Sequence, residues 1–326
     1  MPDNPSVPPQ RRLRLLSLDG GGVRGLVSLL ILQRLMHLVN PKEPPKPCDV
    51  FDMIVGTSTG GLIAIMLGRL RMDVASCIEA YIDMSKDVFK MSLWMRILGR
   101  TFLNIIGRAM FDHKVLEDKI RGIVQDRLGD ADAALLEEDP DCKIFVCASM
   151  LNADTRRLRN YHSTIEEASN CRIWEAARAT SAAPTFFDPI TFSNGCTFRD
   201  GAFRSNNPIF ELIDEVQSAF PDSDVSCIVS IGTGISGPIA LSNSLMSVAK
   251  AYVKVMTDAE SVARSFKKIC CSPNAKFQGK YFRYNPTGIG DVRLDEWEKV
   301  DVMISSTESY LQGIAETLEV CATRLR

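Results

Sequence analysis

Two apolar runs, Leu13 to Leu18 and Val50 to Val55, each stop at a glycine-rich turn, and each turn is followed by apolar residues at helical spacing. A strand this apolar needs cover on both faces, and its turn must send the following helix back over the sheet. The alternation continues along the chain. Cys142 to Ser149 and Val225 to Ile231 read as further buried strands, the latter ending in Gly232-Thr233-Gly234. Leu26 to Val39, Gly60 to Leu70 and Asn170 to Thr180 read as helices, and Thr197 and Phe198 as a strand leading to Asp200. The proline-rich NPKEPPKPCD stretch reads as the loop that ends the first helix. The expected fold class is α/β, with a mainly parallel sheet covered on both faces. Residues 1–11 are expected to form a disordered leader, and 12–326 a single domain whose part from about 240 is mostly helical.

Composition removes several function classes. The chain carries 38 basic and 40 acidic residues, a net charge of -2, which argues against a nucleic-acid partner. Met1 to Gln10 has prolines and no apolar run, so it is not a secretory signal. No stretch approaches the 18 consecutive apolar residues of a membrane span. The ten cysteines form no CxxC pair and no cluster with histidine, so reduced thiols in a cytoplasmic protein are expected, with no metal site and no cofactor.

The first turn, Asp19-Gly20-Gly21-Gly22-Val23-Arg24-Gly25, offers a nest of backbone N–H groups at a helix N-terminus, suited to negative charge. Two other readings compete. A tight turn with nothing bound has the same sequence, and Gly20, Gly22 and Gly25 also satisfy the dinucleotide pattern G-x-G-x-x-G. That pattern wants an acidic residue about 20 positions on at a strand end, where this chain has Glu43 in a proline-broken loop.

The second turn, Gly56-Thr57-Ser58-Thr59-Gly60, fits G-x-S-x-G between a strand and a helix, the setting of a nucleophile elbow. Gly56 and Gly60 relieve clashes while Ser58 takes a strained conformation. A serine needs a base. The chain has only His37, His113 and His162, and none sits at a strand end: His37 is in an apolar-faced helix, His113 starts a helix, and His162 lies in a polar stretch. Asp200, in Arg199-Asp200-Gly201-Ala202 after a strand, is the candidate that remains. A plain Asp-Gly turn is the bland alternative.

In this order, the DGGGVRG turn, the GTSTG elbow and the DGA triplet resemble the patatin-like phospholipases. Ser181-Ala182-Ala183-Pro184, Phe186-Phe187, Asn206-Asn207-Pro208 and Ser230 to Gly234 extend the likeness over about Leu13 to Gly234. The resemblance implies a three-layer α/β/α sandwich and calcium-independent hydrolysis of lipid acyl esters, a phospholipase A-type activity. It implies Ser58 as nucleophile, Asp200 as base, and the backbone of Gly20, Gly21 and Gly22 as the oxyanion hole. Arg24 then either holds the glycine loop or attracts a lipid phosphate, and the former is preferred. The expected substrate is a phospholipid or similar glycerolipid. The alternative is a patatin-fold lipid-binding or signalling module with little turnover.

Lys86 to Arg108 mixes Phe89, Leu93, Trp94, Ile97, Phe102 and Ile105 with Lys86, Lys90, Arg96, Arg100 and Arg108. Apolar bulk with a basic fringe suits peripheral contact with an anionic membrane, although a core-packing helix pair gives the same stripe. Oligomeric state is not legible.

Overall fold

The computed structural model describes residues 12–90, 109–150, 154–164, 166, 170–235, 259–289 and 291–326. The expected leader and most of the Lys86 to Arg108 segment lie outside them.

Eight strands form one sheet: β1 (Arg12–Leu18), β2 (Met53–Thr57), β3 (Lys143–Met150), β4 (Thr155–Arg159), β5 (Ile190–Thr191), β6 (Thr197–Asp200), β7 (Asp224–Ile231) and β8 (Tyr281–Tyr284). Their order is β5-β6-β3-β2-β1-β7-β8, with β4 also on β3. β1, β2, β3, β7 and β8 run parallel, while β4, β5 and β6 pair antiparallel. Alternation along each strand divides the core in two. Leu16, Leu18, Ile54, Ile144, Val146 and Val229 pack under the helices Gly25–Val39, Thr59–Ala64, Val74–Val88, His113–Leu128 and Ile173–Thr180. Leu13, Leu15, Met53, Val55, Phe145 and Ile228 face the helix Ile209–Ala219 and the helical residues 259–270. Both faces are thus covered, the α/β/α sandwich with a mainly parallel sheet.

Several expectations shift. The second strand runs Met53–Thr57 rather than from Val50, because Pro47–Val50 turns once as a helix with proline in its first turn, where the missing N–H is harmless. The helix after Ser58 becomes a π-helix over Ile65–Arg69. Among the described residues beyond 240, which are mostly helical, β8 adds a parallel edge strand to β7; its aromatic, half-buried residues gave no apolar run to read. The expectation of no membrane-length apolar stretch also needs correcting. Gly22–Val39 reaches 18 residues at a mean hydropathy of 1.4, yet 67% of it is buried under the sheet, so it is a core helix. All ten cysteines are free, and only Cys271 is exposed.

In a parallel sheet the carboxyl ends of the strands, with their turns, form the natural crevice for a ligand. The two glycine turns leave β1 and β2 at that edge, and the Gly232-Thr233-Gly234 turn leaves β7 beside them.

Candidate active site

Ser58 follows β2 directly, with φ 54 and ψ -125, outside the basins open to ordinary side chains. Such a conformation costs on the order of 1–3 kcal/mol and persists only when its surroundings impose it. They do. A Cβ on Gly56 would lie 2.0 Å from the Gly60 carbonyl oxygen, and one on Gly60 would lie 2.3 Å from that of Leu18. The turn is therefore closed tightly against the end of β1, and the serine side chain, half-buried, is turned out of it. The Ser58 N–H donates to Thr180 Oγ1 at 2.9 Å, and the Thr180 hydroxyl donates to the Cys147 carbonyl at 2.7 Å. One buried threonine thus ties the elbow to β3.

Asp200 ends β6, opposite Ala148 of β3. Its N–H donates to the Ala182 carbonyl at 3.0 Å, and its carboxylate accepts from the Ala202 N–H at 2.8 Å. Gly201 must be glycine, because a Cβ there would lie 2.3 Å from the Cys147 carbonyl oxygen. The Ser58 side chain lies near enough to the Asp200 carboxylate to lower its pKa. At 2% exposure the carboxyl is almost dry. Burial raises its pKa to about 7, and the Ala202 N–H and the nearby Ser58 side chain offset only part of that rise. An aspartate ordinarily ionised at neutral pH is here poised between its two forms.

The glycine turn lies against the serine: a Cβ on Gly20 would come within 3.1 Å of that of Ser58. The Gly20 N–H is committed to the Asn206 carbonyl at 3.1 Å, and the Gly20 carbonyl accepts from the Thr233 hydroxyl at 3.0 Å. This narrows the expected donor set, since Gly20 has no N–H to spare. The amides of Gly21 and Gly22 are claimed by no backbone carbonyl among the described residues. Gly22 has φ +55, and a Cβ on it would lie 2.4 Å from the Leu294 carbonyl oxygen. Its own carbonyl is held by Tyr81 Oη at 2.5 Å and Thr59 Oγ1 at 2.9 Å. Arg24 is 1% exposed and donates from Nε to the Val292 carbonyl at 2.5 Å, a bracing contact out of reach of a headgroup.

Beside Ser58 opens a narrow pocket lined by Leu62, Met84, Val88, Leu116, Phe186 and Phe187. Its free volume of about 60 Å³ equals roughly two waters. A larger cavity of about 660 Å³ lies elsewhere, between the C-terminal half of Gly25–Val39 and the helix Val300–Gly313, and holds none of the motif residues. No histidine serves the serine. His37 and His162 are exposed, and His113 starts its helix with Nδ1 3.4 Å from Asp188. Among the described residues no group of three His, Cys, Asp or Glu side chains is arranged to hold a metal.

A family model for the patatin-like phospholipases matches residues 16–213, which contain both glycine turns, Ser58 and Asp200. The chain belongs to the patatin-like phospholipase family. Human calcium-independent phospholipase A2-gamma is 30% identical to it over 342 residues, covering 97% of this chain and 41% of that one. Phospholipase A I of Arabidopsis thaliana is 27% identical, over 97% of this chain and 28% of its own length. Patatin-like phospholipase 1 of Plasmodium falciparum is 26% identical, over 95% and 49%. The chain thus spans under half the length of these relatives. Among solved structures, VipD from Legionella pneumophila aligns over 93% of this chain at 13% identity with a TM-score of 0.40.

The motifs singled out Ser58, Asp200 and the glycine turn but not the groups that brace them. Thr180, the Asn206 carbonyl and the Tyr81 hydroxyl were not singled out from the sequence. Thr180 stands beside the Ser-Ala-Ala-Pro block and Asn206 in the Asn-Asn-Pro block, so those short strings were their only signal. Asp19 carried a clearer one as the first residue of the glycine turn. Both its carboxylate oxygens are gripped by Arg283, from outside every motif.

Proposed function

We propose that the protein is a calcium-independent lipid acyl hydrolase of the phospholipase A type, with Ser58 as nucleophile and Asp200 as base. The observation that carries this reading is a strained serine beside a buried carboxylate whose pKa stands near 7. A carboxylate at its ordinary pKa of about 3.9 is a weak base for an alcohol. Raised by some three units, it takes the hydroxyl proton more readily at neutral pH.

Ser58 Oγ attacks the ester carbonyl carbon as its proton moves to Asp200. The carbonyl oxygen, now carrying the charge, meets the Gly21 and Gly22 amides, and each such donor typically contributes about 2.7–4 kcal/mol. The intermediate collapses, the carbon–oxygen bond to the glycerol breaks, and Asp200 returns its proton to the leaving alkoxide. Water then gives a proton to Asp200 and attacks the acyl-serine, releasing the fatty acid and restoring the Ser58 hydroxyl. The apolar walls beside Ser58 suit the first methylenes of an acyl chain.

A fluorophosphonate probe and a phospholipid panel with EDTA present test the reading together. Wild type should be labelled and release fatty acid, and Ser58→Ala should do neither. An unlabelled, inactive wild type rejects it, and hydrolysis that stops on adding EDTA rejects the calcium independence alone.

A further inference from the structure

We propose that Arg283 is a positioning residue for acyl transfer, acting through Asp19 to aim the Gly21 and Gly22 amides at the reacting oxygen. The inference rests on the hydrolase reading above and extends it to a residue far outside the matched region of 16–213.

Asp19 is the last residue before the glycines, so its side chain anchors the peptide that leads into the turn. Arg283 Nη1 donates to Asp19 Oδ1 at 3.0 Å and Nη2 to Oδ2 at 2.7 Å, a two-pronged grip. The same guanidinium donates to Ser230 Oγ at 3.0 Å and Glu260 Oε1 at 2.6 Å. Glu260 also accepts from Asn285 Nδ2 at 2.6 Å, and Asn285 Oδ1 accepts the Gly234 N–H at 2.7 Å. The turn after β1 is thereby fastened to β8, to the helical residues 259–270 and to the turn after β7.

Two residues of the Gly-Thr-Gly string acquire a purpose in this clamp. A Cβ on Gly232 would lie 2.8 Å from Arg283 Nη2 and 2.4 Å from Asn285, so only glycine lets both side chains cross over that strand end. Thr233 completes the hold through its hydrogen bond to the Gly20 carbonyl.

The clamp is nearly dry, with Asp19 1% and the Arg283 side chain 11% exposed. Burial lifts the Asp19 pKa to about 6, and the Arg283 charge is what keeps it from rising further. Without that cation burial would push the Asp19 pKa higher still, and its two oxygens would lose their shared anchor. Lysine keeps the charge but not the fork, so it cannot hold both oxygens in one plane. A small displacement of catalytic groups costs up to about 100-fold in rate.

The test measures the rate of fluorophosphonate labelling of Ser58, and kcat and KM on p-nitrophenyl butyrate, a soluble ester that needs no membrane. Wild type, Arg283→Gln, Arg283→Lys, Asp19→Asn and the Asp19→Asn/Arg283→Gln double variant are compared per titrated active site. Arg283→Gln should lower labelling rate and kcat by about 10–100-fold with KM little changed, and Arg283→Lys should fall between it and wild type. The double variant should be no slower than Arg283→Gln, because both changes break one link. Should Arg283→Gln fail to fold, Arg283→Lys carries the test through its kcat at a native melting temperature. A labelled wild type matched in rate by the folded Arg283 variants overturns this inference alone, as do losses that multiply in the double variant. An unlabelled wild type overturns the hydrolase reading and this inference with it.

Discussion

Asp200→Asn separates the chemical role of this carboxyl from its structural one. The raised pKa means that the native state holds a proton on Asp200 up to about pH 7, whereas the unfolded chain releases it near 3.8. Between those values the native state binds more protons, so stability falls as pH rises and then levels off above about 7. At about 1.4 kcal/mol per pKa unit, burying this carboxyl costs on the order of 4 kcal/mol at pH 8, where it is charged, and on the order of 2 kcal/mol at pH 5, where it keeps a proton that the unfolded chain has lost. Asparagine keeps the shape and the acceptor for the Ala202 N–H, but carries no charge. It should therefore be more stable than wild type at pH 8, with an advantage that shrinks by roughly 2 kcal/mol at pH 5. Urea unfolding at pH 5, 6 and 8 measures this, and the same preparations should have lost esterase activity. An advantage independent of pH would show that burial does not load this carboxyl, and full activity would show that it is not the base.

Three further expectations follow from the same geometry. For wild type, kcat/KM should fall as pH drops through about 7, since the base works only ionised; a profile flat down to pH 5 would contradict the pKa assigned to Asp200. Thr180→Val removes the acceptor of the Ser58 N–H and the donor to the Cys147 carbonyl, and should lose about 1–3 kcal/mol in urea unfolding as well as activity. Stability and kcat equal to wild type would mean that the elbow holds itself. Gly60→Ala forces a Cβ against the Leu18 and Asp19 carbonyls at 2.3 and 2.7 Å, backbone atoms that cannot swing aside. It should cost about 3 kcal/mol or more and abolish labelling of Ser58, and a normally labelled variant would refute the tight closure of that turn.

Local order alone determined a good deal. Apolar runs that end in glycine announce strand, turn and helix because burial and positive φ are properties of single residues and their neighbours. On that basis β1, β2, β3 and β7 were legible, as were the elbow at Ser58 and the turn at Gly20 to Gly22. β4, β5 and β8 were not. They are short or polar, paired at or near the sheet's edges, and acquire strand geometry from the ladder rather than from their own pattern.

The choice among equals belonged to tertiary structure. A glycine turn with several amides does not reveal which of them are spent, and only the approach of Asn206 removes Gly20 from the set. Asp200 reads as a common Asp-Gly turn until β6 pairs with β3 and sets it, dry, against the Ser58 hydroxyl. Arg283 could not be foreseen at all, because a charge in an ordinary strand becomes a clamp only when another strand end meets it. Desolvation and hydrogen-bond geometry arise from what the whole chain encloses, and no window of neighbouring residues contains them.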